Sequence, residues 1–103
     1  MNVEPWCPVA ATIDMIGGKW KPTILLHLKE GPRRFNELRR LMPDITQRVL
    51  TMQLRALEAD GLVTRTVHDP APPQVVEYAF AARGLTLGPI LDAMVDWGEE
   101  YAR

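Results

Sequence analysis

Gly61 separates two periodicities that no single element of secondary structure can carry. On its N-terminal side, DITQRVLTMQLRALEADGLV (44–63) sets Leu50, Leu54 and Leu57 at i, i+4 and i+7, the apolar stripe of an amphipathic helix. On its C-terminal side the chain turns to β-formers, LVTRTV at 62–67 and VVEYAF at 75–80, the latter alternating Val76, Tyr78 and Phe80 with polar or small neighbours. Between these runs lies HDPAPPQ, whose three prolines cannot pair as sheet, so the spacing predicts a hairpin with an exposed tip. A helix that stops at a glycine and passes directly into a hairpin leaves few folds open to a short chain.

The segments before it narrow the choice. PVAATIDMIGG places Val9, Ile13 and Ile16 at helical spacing and stops at Gly17-Gly18. KWKPTILLHLKEG offers Trp20, Ile24, Leu25 and Leu28 on one side, with Pro22 in the first turn where no intrahelical N–H bond is lost. FNELRRLMPD reads as a shorter helix capped by Asn36, with Leu38, Leu41 and Met42 inward, closed by Pro43 and Asp44. Thr46 then caps the helix described first, and Gly61 ends it by taking the left-handed conformation while Leu62 folds back. A short helix, a tight turn and a longer helix have helix-turn-helix spacing. The last segment, ARGLTLGPILDAMVDWGEEYAR, puts Ile90, Met94, Trp97 and Tyr101 on one stripe with Leu87 and Leu91 beside it. That face is broader than a small core needs, so a partner helix is the expected recipient.

The expected architecture is mainly α with a small β-hairpin (α+β), in one domain over residues 1–103, the usual size for a single core. The helix-turn-helix spans about 36–60, the hairpin about 62–80, and terminal helices cover 8–16 and 83–102. No run of about 18 apolar residues occurs, which argues against a membrane span. The first twenty residues lack a basic leader followed by an unbroken apolar stretch, so the expected location is cytoplasmic. A single cysteine, Cys7, permits no disulfide within the chain and agrees with a reducing compartment.

The formal net charge is only −1, yet its distribution is uneven. Residues 19–65 hold ten Lys/Arg against five acids, and the rest of the chain holds two against eight. A basic central surface with acidic flanks is what a nucleic-acid-binding face would give. The outer side of the 44–63 helix presents Gln47, Arg48, Thr51, Met52 and Arg55, mostly side chains that donate and accept hydrogen bonds.

Taken together, CPVAATIDMIGGKWKPTILLHL (7–28), GPRRFNELRRLMPDITQRVLTMQLRALEADGLVTR (31–65) and PPQVVEYAF (72–80) resemble the HxlR-type, MarR-like winged helix-turn-helix transcriptional regulators of bacteria and archaea. The resemblance implies a homodimer, joined through its N- and C-terminal helices, that binds double-stranded DNA at a pseudo-palindromic operator. The fourth helix would enter the major groove and the hairpin, the wing, would lie near the adjacent minor groove. A helix fits the major groove and its N-terminal residues meet base edges. The expected base contacts are therefore Thr46, Gln47, Arg48, Thr51, Met52 and Arg55, led by Gln47 and Arg48. Gln pairs with adenine and Arg with guanine through two hydrogen bonds, each pair worth about 1–3 kcal/mol of discrimination. Arg33, Arg34, Arg39, Arg40 and Arg65 suit phosphates. Trp6, Val9, Ile13, Leu87, Ile90, Leu91, Met94, Trp97 and Tyr101 are the expected dimer interface. Two departures from the family pattern stand out: Gln74 occupies a wing position where many relatives are basic, beside the negative Asp69, and Ala81-Ala82 replaces a Thr-Pro capping pair.

Cys7 precedes Pro8 at the start of the first helix, where backbone N–H groups and the helix dipole favour an anion. In several relatives a cysteine here responds to oxidants or to electrophiles such as quinones and aldehydes, so a small electrophile or oxidant joins the expected partners. One thiol per chain leaves a Cys7–Cys7 bridge between subunits, a mixed disulfide or alkylation. Two rival readings remain: an apolar effector held between subunits near Trp6, Trp20, Trp97 and Tyr101, and a winged-helix module that docks proteins without touching DNA. No enzyme is expected. His27 and His68 are isolated, the latter in the hairpin loop, and no paired metal ligands, phosphate loop or activated nucleophile can be assembled. No cofactor or metal is called for.

Overall fold

The computed structural model describes residues 5–68 and 74–103. Its elements are α1 (Pro8–Ile16), α2 (Lys21–Lys29), β1 (Arg33–Arg34), α3 (Phe35–Leu41), α4 (Gln47–Ala59), β2 (Val63–His68), β3 (Val75–Phe80), α5 (Ala82–Leu85) and α6 (Gly88–Tyr101). The three strands form one antiparallel sheet in the order β1-β3-β2, with Tyr78 of β3 opposite Arg33 on one side and Arg65 on the other. The hairpin tip and its three prolines, with Asp69, lie outside the described residues.

Each element contributes an apolar face to one core. Ile24, Leu25 and Leu28 of α2, Leu38 of α3, and Leu50, Leu54 and Leu57 of α4 are almost wholly buried, with Tyr78 from the sheet and Leu91 from α6. Burying a leucine side chain stabilises by about 1.5–3 kcal/mol, so the three α4 leucines fasten that helix firmly at its inner face. Its ends are equally well specified. Thr46 Oγ1 accepts from the Val49 N–H at 3.1 Å, satisfying one of the free donors of the first turn. At the other end Gly61 has φ 74°, Gly61 N–H donates to Glu58 O at 2.9 Å and Leu62 N–H to Leu57 O at 3.0 Å. That is the paired closure of a Schellman motif, and it turns the chain directly into β2.

Several expectations are corrected. The helix read over 83–102 is two helices, because Pro89 has no N–H to continue the ladder from α5 and Gly84 is held against the hairpin. A Cβ on Gly84 would lie 2.0 Å from Leu62 O. Around it, Ala81 N–H donates to Leu62 O at 3.0 Å and Arg83 Nη1 donates to Asp60 O at 3.0 Å. Leu87 and Leu91, expected at a dimer interface, are instead buried in the protomer's own core, on the side of the α6 stripe that faces it. Leu41 is exposed. Asn36 is not the cap of α3: the cap is Arg34, two residues earlier, and the Glu37 carboxylate accepts from the Arg34 N–H at 3.0 Å. The short strand β1 has no counterpart in the sequence reading. His68 ends β2 rather than sitting in the loop, with its Nε2 3.2 Å from Glu77 Oε1.

Candidate nucleic-acid interface

The surface of α4 divides into two rows. Thr46 lies at the cap; Arg48 and Met52 stand on the outer ridge, Met52 56% exposed. Gln47, Thr51 and Arg55, spaced by four residues, run along the flank toward the hairpin. The Thr51 hydroxyl donates to Gln47 O at 2.9 Å, so its proton is engaged within the helix. This separation of rows follows from the leucine stripe, which fixes the rotation of α4 about its axis.

Beside the flank row is a cleft of about 430 Å³ walled by α3, α4 and the sheet, including Arg34, Arg40, Arg55, Arg65, Gln74 and Tyr78. Arg34, Arg40 and Arg65 were read from sequence as phosphate ligands and Arg55 as a base contact; the fold brings all four to one cavity. Arg39 lines a separate shallow groove with Asn36, Arg40, Pro43 and Ile45. Arg33 is placed differently. Its Nη2 donates to Glu30 Oε2 at 2.8 Å, its Nη1 lies 3.7 Å from Glu37 Oε2, and its Nε donates to His27 O at 3.3 Å. Half-buried and already facing two carboxylates, Arg33 joins α2 to α3 rather than standing open like its neighbours. The Arg34 N–H, together with the nearby Arg33, Arg40 and Arg34 charges, holds the Glu37 carboxyl below its ordinary range. Lys29 pairs with Asp92 and Lys19 lies over the Trp20 ring at 4.8 Å, so both are turned to intramolecular roles.

Tyr78 and Gln74 were not read as site residues. The alternation of VVEYAF places Tyr78 inward, and its pairing opposite Arg65 is what brings it to the cleft wall; that pairing needs the hairpin register. The apolar surface lies elsewhere. Trp6, Val9 and Ile13 at the N-terminal end and Ile90, Met94, Trp97 and Tyr101 on α6 are exposed, Trp6 by 78%. Trp97 and Tyr101 meet in a tilted ring contact with centroids 5.3 Å apart. A shallow trough along α6 is formed by Pro89, Ile90, Ala93, Met94 and Trp97. Cys7 is exposed at the cap of α1, with the Ala10 N–H donating to its Sγ at 3.5 Å. Among the described residues no group of acidic, cysteine or histidine side chains is arranged to hold a metal ion.

Comparison with known proteins agrees with this arrangement. The model of the HxlR-like helix-turn-helix family matches residues 15–103. The HTH-type transcriptional regulator YdeP of Bacillus subtilis is 55% identical over 95 residues, covering 92% of this chain and 73% of that protein. The redox regulator HypR in its reduced form superposes with a TM-score of 0.87 at 52% identity, over 91% of this chain and 92% of HypR. The reduced form of the regulator YodB from B. subtilis gives 0.80 at 30% identity, over 94% and 95%. These relatives are transcriptional regulators, not enzymes.

Proposed function

The chain belongs to the HxlR-like helix-turn-helix family of transcriptional regulators, and from that premise we propose that it is a homodimer that binds operator DNA sequence-specifically, with α4 in the major groove. The observation that carries this reading is the outer face of α4: Gln47, Arg48 and Met52 are exposed and presented by a helix whose rotation and ends are fixed. Gln47 and Arg48 near the N-terminus are the leading base contacts, with Thr46, Thr51 and Met52 alongside. Arg34, Arg39, Arg40 and Arg65 are the phosphate contacts, with Arg33 the weakest of the set because of its carboxylate partners. Footprinting of the DNA upstream of its own gene tests the proposal; no protection at low salt would end it.

A second copy of the chain is the occupant proposed for the apolar surface of α1 and α6. Trp6, Val9, Ile13, Ile90, Met94, Trp97 and Tyr101 form its interface, and dimers read two half-sites about one helical turn apart or a multiple of it. A small apolar effector is less well supported, since the α6 trough lacks the few convergent polar groups that orient a ligand. A purely protein-docking role does not account for the arginines gathered beside α4, four against the single carboxylate of Glu37.

Cys7 supports a regulatory reading as well: it is exposed at a helix start, HypR is a redox regulator, and a diamide-treated form of YodB is among the similar structures. Oxidation or alkylation of Cys7 would then alter DNA affinity. Mass spectrometry of the thiol under quinone or diamide challenge, paired with DNA titrations, tests this; modification that leaves affinity unchanged removes it.

A further inference from the structure

The cleft beside α4 gathers guanidinium groups from four successive elements, Arg34 from β1, Arg40 from α3, Arg55 from α4 and Arg65 from β2. Among the described residues none of the four forms an ion pair. The one carboxylate in the wall, Glu37, is engaged by the Arg34 N–H and by Arg33. Four guanidiniums share the cavity with this single carboxylate, so positive charge is in excess there, and an anion entering it relieves the repulsion. A neutral donor is also present. Tyr78 is buried to 4% exposure in the cleft wall, yet its hydroxyl forms no hydrogen bond within the described residues and is not sealed from solvent. A phenolic O–H needs an acceptor, and an anion supplies one.

We infer that this cleft is a seat for a phosphodiester of the bound DNA strand, resting on the DNA-binding reading above. Arg40, Arg55 and Arg65 supply charge and Tyr78 supplies a neutral hydrogen bond. Arg55, which lines both the cleft and the outer groove of α4, is assigned here to the backbone and not to a base edge. Sequence reading on α4 falls to its N-terminal residues and to Arg48 and Met52, which line the outer groove but not the cleft. Planar guanidiniums suit phosphate oxygens through paired N–H bonds.

The test uses duplexes selected by the wild-type protein from a random pool, against a scrambled duplex of the same length, titrated across salt concentrations. R40Q, R55Q and R65Q should each weaken binding to both duplexes about tenfold and flatten the slope of log K against log salt by about one. Y78F should weaken both by about threefold with the slope unchanged. In all four the preference for the selected duplex stays at the wild-type ratio, whereas R48A lowers it. A reduced ratio in R55Q, or wild-type slopes in R40Q and R65Q, overturns the seat while leaving DNA binding intact. Failure of the wild type to bind any duplex overturns both. ATP at millimolar concentration, followed by equilibrium dialysis, is expected not to be retained; retention lost in R65Q would assign the cleft to free phosphorylated ligands and overturn the strand assignment. The three exposed arginine variants keep the test decisive should Y78F fold poorly.

Discussion

The two exposed faces of this molecule are unfinished in opposite ways. Along α1 and α6 the surface shows large apolar side chains, with Trp97 64% and Tyr101 68% exposed. Around α3, α4 and the sheet it shows Arg34, Arg40, Arg55 and Arg65, which form no ion pair among the described residues. Apolar area is removed from water by another apolar surface, and the effect is non-directional. Cationic groups are satisfied by anions, and that effect is long-ranged and weakened by salt. One face therefore asks for another helix and the other for a polyanion, and the two requirements can be broken separately.

The largest effect should come from the apolar face. The double substitution Met94→Glu, Trp97→Glu puts charge into the proposed interface, and sedimentation should show a monomer. DNA affinity should then fall by about two to four orders of magnitude, because linked half-site binding is lost. A monomer that binds as tightly as the wild type would separate the two faces completely. Next is Arg48→Ala, which should remove about 1–3 kcal/mol of discrimination between selected and scrambled duplexes while leaving sedimentation unchanged. An unchanged preference would move base reading off the outer ridge of α4.

Smaller effects probe how the basic face is held. Thr46→Ala removes the acceptor for the Val49 N–H and should cost about 1 kcal/mol, seen as a melting-temperature drop of about 4–8 °C. The smallest concerns Glu37, whose carboxyl is held low chiefly by the Arg34 N–H. A depressed carboxyl stabilises the fold above its ordinary value of 4.5, and that contribution is lost as pH falls through the lower folded value. Glu37→Gln should be less stable than wild type at neutral pH, and urea titrations should show the gap closing in acid. A gap constant from pH 7 to pH 3 would contradict the assignment.

Legibility from sequence differed between the faces for physical reasons. The helix α4 was readable throughout because leucine spacing, the threonine cap and the terminal glycine all point the same way. The bounds of α1, Pro8–Ile16, matched the proline and glycine signals. By contrast β1 is two residues long, too short for any period, and it forms only because β3 offers it an edge. Leu87 and Leu91 flank the exposed stripe, and which flank turns to the core is decided by the rest of the fold and not by helical spacing. The close approach of Gly84 to Leu62 at α5 is a tertiary contact that no local pattern announces. The arginines were identified by type, but their division between an internal tie at Arg33 and an open cleft depends on which carboxylates the fold places nearby. Tyr78 falls on the apolar side of the alternation in VVEYAF and is buried, and its place in the cleft wall appears only with the strand register. Among the described residues no helix is long and apolar enough to cross a membrane, in line with the hydropathy of the sequence.

The joint at α5 also has a mechanical meaning. Arg83 grips the last turn of α4 through Asp60 O, and the missing side chain of Gly84 lets the root of α6 sit directly on Leu62. In a dimer clasped along α6, each subunit then behaves as one arm of a caliper, with no slack between the pivot and the reading tip. The tolerated gap between half-sites becomes a length set by this joint, and Gly84→Ala, which wedges the joint open, should shift that gap in footprints before it abolishes binding.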